Sequence, residues 1–169
     1  MLPIIPVMQL LLAVETVAGR KKLQKMVHIL KELGAPFEDR FEYSYYGMYS
    51  TELRGEIEQL VAENLIEEKE TEFKDNKKGF TTTATPAMRV LLAQHGLSEP
   101  QPWASLATDL NKMSSTQLEG ISTILFLKAR GHEGAAIKKR LLELKPHLAE
   151  DADFCCQTAE ELSARRLVA

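Results

Sequence analysis

The stretch that decides the fold is TELRGEIEQLVAENLIEEKETEFKDNKKGFTTTAT, residues 51–85. Its first part predicts an α-helix, because apolar residues recur at intervals of three and four and Ser50 or Thr51 can cap the N-terminus. Asn64 can adopt the left-handed conformation that ends such a helix. The remainder predicts a β-hairpin: an extended segment from Leu65, a polar turn with a basic tip, and a threonine-rich strand.

Further elements are predicted on both sides of this stretch. Upstream, apolar periodicity predicts a buried helix over 5–17 and a second helix over 20–33. Alternating residues over 41–46 predict one short strand before the third helix. Downstream, Thr85 and Pro86 start a fourth helix in the preferred order of cap and proline. Helix, helix, short strand, helix, hairpin and helix are the plan of a winged-helix domain.

A proline-containing segment over 97–102 predicts an internal boundary. We expect a winged-helix domain over residues 1–97 and a helical region with four more helices over 98–169. The fold class is therefore mainly α with a small β-hairpin, followed by a C-terminal helical annex. These last helices either cap the winged helix or form a dimer interface, and the sequence leaves that choice open.

Composition predicts a soluble protein of the cytoplasm with no membrane partner. Of the 169 residues 44% are hydrophobic and 27% charged, as in ordinary globular domains. The apolar run 2–14 is shorter than the roughly twenty residues that span a bilayer, and no basic segment precedes it as in a signal peptide. Cys155 and Cys156 match no metal motif and are expected to be free thiols.

No motif predicts a catalytic residue, a cofactor, a metal site or a small-molecule substrate. The four histidines have no metal-ligand spacing, and neither a glycine-rich phosphate loop nor a nucleophile elbow occurs. His28 lies beside the apolar stripe of the second helix and is expected to be structural. We therefore expect a protein that is not an enzyme. The enzyme alternative requires a deep polar pocket that holds several perturbed ionisable groups.

Charge is segregated along the first half of the chain. Residues 1–34 carry five basic and two acidic side chains, residues 35–73 carry three and eleven, and residues 74–79 carry three and one. The third helix, which reads DNA in most winged-helix proteins, is therefore acidic, and a phosphate backbone would repel it. Sixteen residues also lie between Leu33 and Ser50, whereas a helix-turn-helix has three or four.

Nucleic-acid binding remains an alternative that uses another face. Basic residues cluster at the start of the second helix and at the hairpin tip, where together they can form a phosphate-binding surface. This set comprises Arg20, Lys21, Lys22, Lys25, Lys74, Lys77 and Lys78. The other interpretation is a solvated helix end and a solubilising turn.

The first hypothesis is a regulatory or adaptor module that binds a protein partner or a second copy of itself. Tyrosine, methionine and acidic side chains between residues 46 and 56 can form an adaptable contact surface. The candidates are Tyr46, Met48, Tyr49, Glu52 and Glu56, of which Tyr46 and Tyr49 are expected to face outward. The same aromatic segment can instead be the domain's own packing.

Two motifs resemble those of a known family. Residues 20–25 read RKKLQK and residues 46–53 read YGMYSTEL, which is similar to the pattern R-x-K-L-Q-K followed by Y-G-P-Y-S-x-x-L of the YwgA-like proteins of bacteria and archaea. The resemblance covers most of the chain and implies a winged-helix fold, often labelled DNA-binding, without catalytic residues. More distantly, the motifs are similar to the SocA-like (Panacea) domain of antitoxins, which bind other proteins. Met48 replaces the family's proline, so this loop is expected to be less rigid.

Overall fold

The first half of the chain folds into short helices with two small antiparallel sheets. The computed structural model describes residues 2–165 and 167, apart from the side chain of Asp75. In chain order the elements are α1 (Ile4–Val14), β1 (Thr16–Ala18), α2 (Arg20–Glu32), β2 (Glu42–Ser44), β3 (Gly47–Tyr49), α3 (Thr51–Ala62), β4 (Ile66–Glu72), β5 (Lys78–Ala84) and α4 (Pro86–Gln94). A single 3₁₀ turn, Lys74–Asn76, joins β4 to β5.

The second half is helical throughout. It contains α5 (Ala104–Asn111), α6 (Ser115–Ala129), α7 (Ala135–Leu144) and α8 (Ala152–Ala164), with a 3₁₀ turn at Pro146–Leu148. The molecule is therefore mainly α with small antiparallel sheets, as the sequence predicts. Among the described residues, each helix is either too short or too polar to cross a bilayer.

The larger sheet has the strand order β1–β5–β4, with both pairings antiparallel. Val17 lies opposite Thr82, and Thr82 in turn lies opposite Glu68. Because side chains on directly opposed residues point to the same face, these three residues share the face that is turned toward the core. The smaller sheet is the β2–β3 hairpin, in which Tyr43 lies opposite Met48.

Two sequence predictions about this region are wrong. The first helix was expected to reach residue 17, but it ends at Val14 because Glu15 has a positive φ of 66° and the next three residues pair with β5. The single strand expected over 41–46 is a hairpin. Its chain reverses at Tyr45 and Tyr46, and Gly47, with φ of 85°, starts the returning strand instead of ending the first.

The helix starts agree with the capping residues that the sequence indicates. The Leu53 N–H donates to Ser50 Oγ (3.1 Å) at the start of α3, and the Met88 N–H donates to Thr85 Oγ1 (3.3 Å) at the start of α4. At the start of α6, a capping box forms between Ser114 and Gln117. Such caps satisfy backbone N–H groups that the helix itself leaves unpaired.

Helix α2 is the element around which both halves pack. Every residue from Leu23 to Leu30 is buried, polar residues included, so the helix is enclosed on all sides. His28 Nδ1 lies 2.6 Å from Ser122 Oγ of α6, and burial, together with nearby lysines, lowers the pKa of His28 to about 3. Residues on both sides of the expected boundary at 97–98 contribute to one apolar cluster, in which Phe37 packs against Trp103.

Candidate functional site

The KLQK and YGMYS segments contact each other directly. Gln24 Nε2 donates to the Ser50 carbonyl and the Ser50 N–H donates to Gln24 Oε1, both at 2.9 Å. Ser50 is fully buried and its hydroxyl caps α3. One side chain of α2 therefore fixes the position at which α3 begins.

The second lysine of the motif continues this contact. Lys25 is only 4% exposed and its Nζ donates to the Met48 carbonyl at 2.6 Å. A Cβ at Gly47 would lie 3.6 Å from that nitrogen. That is an ordinary contact distance, so space alone does not require the motif glycine. Its φ of 85° does, because that conformation would strain any other residue. We call these contacts of Gln24 and Lys25 the α2 clamp.

The α2 clamp changes the interpretation of the predicted basic surface. Arg20 makes a bidentate ion pair with Glu68 and stacks over Phe80, while Lys22 donates to the Asn111 carbonyl. Together with Lys25, three of the four basic residues at the start of α2 are held by the protein's own groups. The expectation that Lys25 lies on one exposed surface with the other basic residues is wrong, because Lys25 is buried and donates to the Met48 carbonyl.

The lysines of the hairpin tip lie apart from this cluster. Lys74, Lys77 and Lys78 are exposed at the end of β4 and β5. Between the tip and the Arg20–Glu68 pair, the same face of β4 carries Glu70, while Glu72 lies directly opposite Lys78. Carboxylates therefore interrupt the positive surface that the sequence analysis describes as an alternative.

The residues expected to contact a partner protein divide into exposed and buried groups. Tyr46 is 55% exposed and Tyr45, which the prediction omits, is 89% exposed at the tip of the β2–β3 hairpin. Tyr49 is half-buried. Met48 is 4% exposed, so its assignment to a contact surface is wrong: it faces inward because the hairpin packs on α2.

The two predicted acidic contacts also differ from each other. Glu52 is exposed and accepts hydrogen bonds from the Arg40 backbone and guanidinium, both at 2.9 Å, which lower its pKa. Glu56 is half-buried beside Asp39. Burial raises the pKa of Glu56 to about 7, and the negative charge of Asp39 adds to that effect. Half-buried Glu56 and buried Asp39 thus form a pair of neighbouring carboxyl groups.

An apolar groove lies between α2, α3 and the larger sheet. Its volume is about 280 Å³, and Leu23, Leu53 and Ile57 contribute its apolar lining. The buried Thr82 also lines it, and the hydroxyl of Thr82 has no hydrogen-bond partner among the described residues. The Arg54–Glu58 and Arg20–Glu68 ion pairs form part of the groove's rim. We call this the α2–α3 groove.

A second, polar cavity of about 370 Å³ lies on another side of α2, against the β2–β3 hairpin and α6. It is lined by charged groups that come from distant parts of the chain: Lys21, Lys25, Glu119, Lys145 and His147. Lys145 is as buried as Lys25, and its Nζ lies 2.9 Å from Glu119 Oε1. We call this the lysine cavity. Residues 144–148 also resemble the YwgA-like family, but sequence reasoning missed the cavity because its lining comes from segments that lie far apart in the chain.

Two ionisable groups that line the lysine cavity have shifted pKa values. Burial lowers the pKa of Lys25 to about 8. Burial also acts on Glu119, but the hydrogen bonds and charges of Lys145 and His147 outweigh it and lower the pKa of that carboxyl. The described residues contain no cluster of three or more His, Cys, Asp or Glu side chains arranged to hold a metal ion.

Fold and site together define a mainly helical protein in which the Gln and second Lys of a Lys-Leu-Gln-Lys segment hold a Tyr-Gly-x-Tyr-Ser segment in place. The chain is 32% identical over 152 residues to the uncharacterized protein YwgA of Bacillus subtilis (strain 168), a match that covers 86% of this chain and 87% of that protein. The chain therefore belongs to the YwgA-like family. No protein-family model matches it, and no solved structure does. The more distant similarity to SocA-like antitoxin domains stays a prediction.

Proposed function

We propose that the protein is a non-enzymatic winged-helix module that binds a basic segment of a partner protein. Two features support the winged-helix assignment. The elements α1, β1, α2, α3 and the β4–β5 hairpin follow one another in the chain, and β1 pairs with β5 at the edge of that hairpin. The β2–β3 hairpin, inserted between α2 and α3, replaces the short turn of a DNA-reading helix-turn-helix.

The observation that carries the proposal is the charge on α3 and β4. These two elements and the residue after α3 carry six exposed carboxylates and two exposed basic side chains, Arg54 and Lys69. Glu52, Glu58 and Glu67 make ion pairs with Arg40, Arg54 and Lys69, and Arg20 pairs with Glu68. The carboxylates, which we call the acidic surface, belong to Glu52, Glu58, Glu63, Glu67, Glu70 and Glu72. On β4, Glu70 and Glu72 lie on the same face as Glu68, and Glu67 lies on the other face. Such a surface attracts a basic partner and repels a phosphate backbone.

The α2–α3 groove adds an apolar component next to the acidic surface. Glu58 of α3 and Glu68 of β4 both line the groove. Glu70 lies two residues after Glu68, on the same face of β4. An apolar side chain of the partner can enter the groove, while lysines or arginines beside it meet the carboxylates. Buried apolar anchors within a charged rim are the common arrangement at protein interfaces.

DNA binding through the start of α2 and the hairpin tip is less well supported. Three of the four basic residues at that helix start are engaged within the protein, and Glu70 and Glu72 lie between the helix and the tip. A protein that neutralises few phosphates gains little from the release of counterions.

Site-specific photo-crosslinking in cells that make the protein tests this proposal. A benzophenone side chain replaces Glu70 on the acidic surface or, as a matched control, the exposed Glu133 before α7. We expect one discrete crosslinked protein from position 70, none from position 133, and a contact peptide rich in lysine and arginine. Equal crosslinking from both positions would contradict the proposal, as would a duplex-DNA affinity that falls steeply with salt and is lost in Lys77→Glu.

A further inference from the structure

The lysine cavity contains more positive than negative charge. The ammonium groups of Lys21, Lys25 and Lys145 line it together with one carboxylate, Glu119. The three lysines and the one glutamate of the lining sum to a formal charge of +2. Charges that are withdrawn from water are costly unless they are compensated, so the cavity favours an anion.

Two of these ammonium groups are buried close to each other. Lys25 and Lys145 are each 4% exposed, and their nitrogens lie 3.6 and 3.8 Å from the position that a Cβ of Gly47 would occupy. Glu119 pairs with Lys145 at 2.9 Å, whereas Lys25 Nζ has a neutral carbonyl as its acceptor. The lowered pKa of Lys25 has burial as its largest cause, and the charges of Lys145 and Lys21 add to it.

The opening of the cavity is aromatic. Lys21 Nζ lies 3.9 Å from the centre of the Tyr46 ring, and Tyr45 meets that ring edge-on at 5.1 Å. Both tyrosines are exposed, although each is packed against a neighbour on one side. Ser115, the first residue of α6, also lines the cavity, so the N-terminus of that helix, the positive end of its dipole, lies beside it.

We propose that the lysine cavity binds a small molecule that carries a phosphate monoester. A phosphate monoester has a charge between about −1.5 and −2 at pH 7, which matches the net charge of the lining, whereas a carboxylate would neutralise only half of it. The tyrosines at the opening provide a flat contact for an apolar or aromatic group attached to the phosphate. A volume of about 370 Å³ suits a small ligand. This inference does not depend on the proposed protein partner.

NMR titration with phenyl phosphate as the probe tests the inference. The uniformly ¹⁵N-labelled protein is titrated at pH 7 in a buffer without phosphate, with acetate as a comparison at equal ionic strength. We expect saturable shifts of the backbone amides of Gly47, Ser115 and Lys145, and weaker binding of acetate. Inorganic phosphate should bind more weakly than phenyl phosphate, because it lacks the ring that contacts the tyrosines.

Variants that should change the affinity for phenyl phosphate in opposite directions distinguish binding in the lysine cavity from unspecific electrostatic attraction. Lys21→Ala, at an exposed position, should weaken phenyl phosphate binding about fivefold, and Lys139→Ala on α7 should leave it unchanged. Glu119→Gln removes the carboxylate from the lining and should tighten phenyl phosphate binding about fivefold. Misfolding of the variant could not produce such a gain in affinity.

Three results would overturn the inference. The first is the absence of saturable shifts at the cavity residues, and the second is equal weakening by Lys21→Ala and Lys139→Ala. The third is a folded Glu119→Gln protein that binds phenyl phosphate no better than the unchanged chain. If Glu119→Gln does not fold, the comparison of Lys21→Ala with Lys139→Ala decides the question alone, because both side chains are exposed.

Discussion

Replacing Gln24 by methionine removes the Gln24 hydrogen bonds of the α2 clamp and keeps the side chain at nearly the same length. Gln24 makes two hydrogen bonds of 2.9 Å to the backbone of Ser50, and Ser50 has no exposed surface. In Gln24→Met the Ser50 N–H and carbonyl lose these partners, and burial excludes water from replacing them. The start of α3 loses its attachment to α2.

The magnitude follows from these two contacts. A buried polar group left without a partner costs about 1–3 kcal/mol, and two such groups are created. The methionine side chain returns about 1 kcal/mol through its apolar surface. We therefore expect the free energy of unfolding to fall by about 1–5 kcal/mol, compared with the roughly 5–15 kcal/mol that domains of this size possess.

Urea unfolding followed by far-UV circular dichroism measures this loss. Gln59→Met is the matched control, because Gln59 is exposed on α3 and its amide bonds only the exposed Glu63. The control should change the unfolding free energy by no more than about 0.5 kcal/mol. If Gln24→Met were as stable as Gln59→Met, the assignment of the KLQK segment to a structural clamp would be refuted.

Two further predictions concern packing and pH. Gly120→Ala should lower the unfolding free energy by about 1–3 kcal/mol in thermal or urea unfolding, because the new Cβ would clash with Cys155 Sγ. Gly55→Ala, with open space around it, should instead stabilise α3 by about 0.5–1 kcal/mol. A change of the same sign in both variants would contradict the packing of α6 on α8. Glu56→Gln should stabilise the protein by about 1–2 kcal/mol at pH 8 and by little at pH 5. The pKa of Glu56 in the folded protein, about 7, lies above the ordinary value of 4.5. Ionisation of Glu56 beside Asp39 therefore destabilises the folded state as the pH rises from 4.5 through 7. If urea unfolding showed the same effect of Glu56→Gln at both pH values, the interaction between Glu56 and Asp39 would be contradicted.

The helices could be predicted because their signals are local. Ser50, Thr85 and Ser114 each cap a helix whose first turn follows at once in the sequence, and the period of the apolar residues locates α2 and α3. Strand β1 could not be predicted in this way. Thr16–Ala18 is only three residues long, and it is extended because it pairs with residues 81–83, far along the chain.

The candidate sites depend even more on distant contacts. Lys25 has the sequence context of a solvated helix face, and only the return of β3 brings the Met48 carbonyl to its amine. The same holds for Lys22, whose acceptor is the carbonyl of Asn111. The acidic surface, in contrast, could be anticipated from charge counts, because α3 and β4 are adjacent in the sequence and rich in glutamate.

The most direct measurement is the affinity of the crosslinked partner for two charge-reversal variants. Glu58→Lys with Glu70→Lys reverses the acidic surface, and Glu133→Lys with Glu150→Lys makes the same change in net charge at exposed positions elsewhere. We expect the first variant to bind the purified partner at least about tenfold more weakly and the second to bind it like the unchanged chain. Equal affinity of both variants would contradict recognition of a basic partner by α3 and β4.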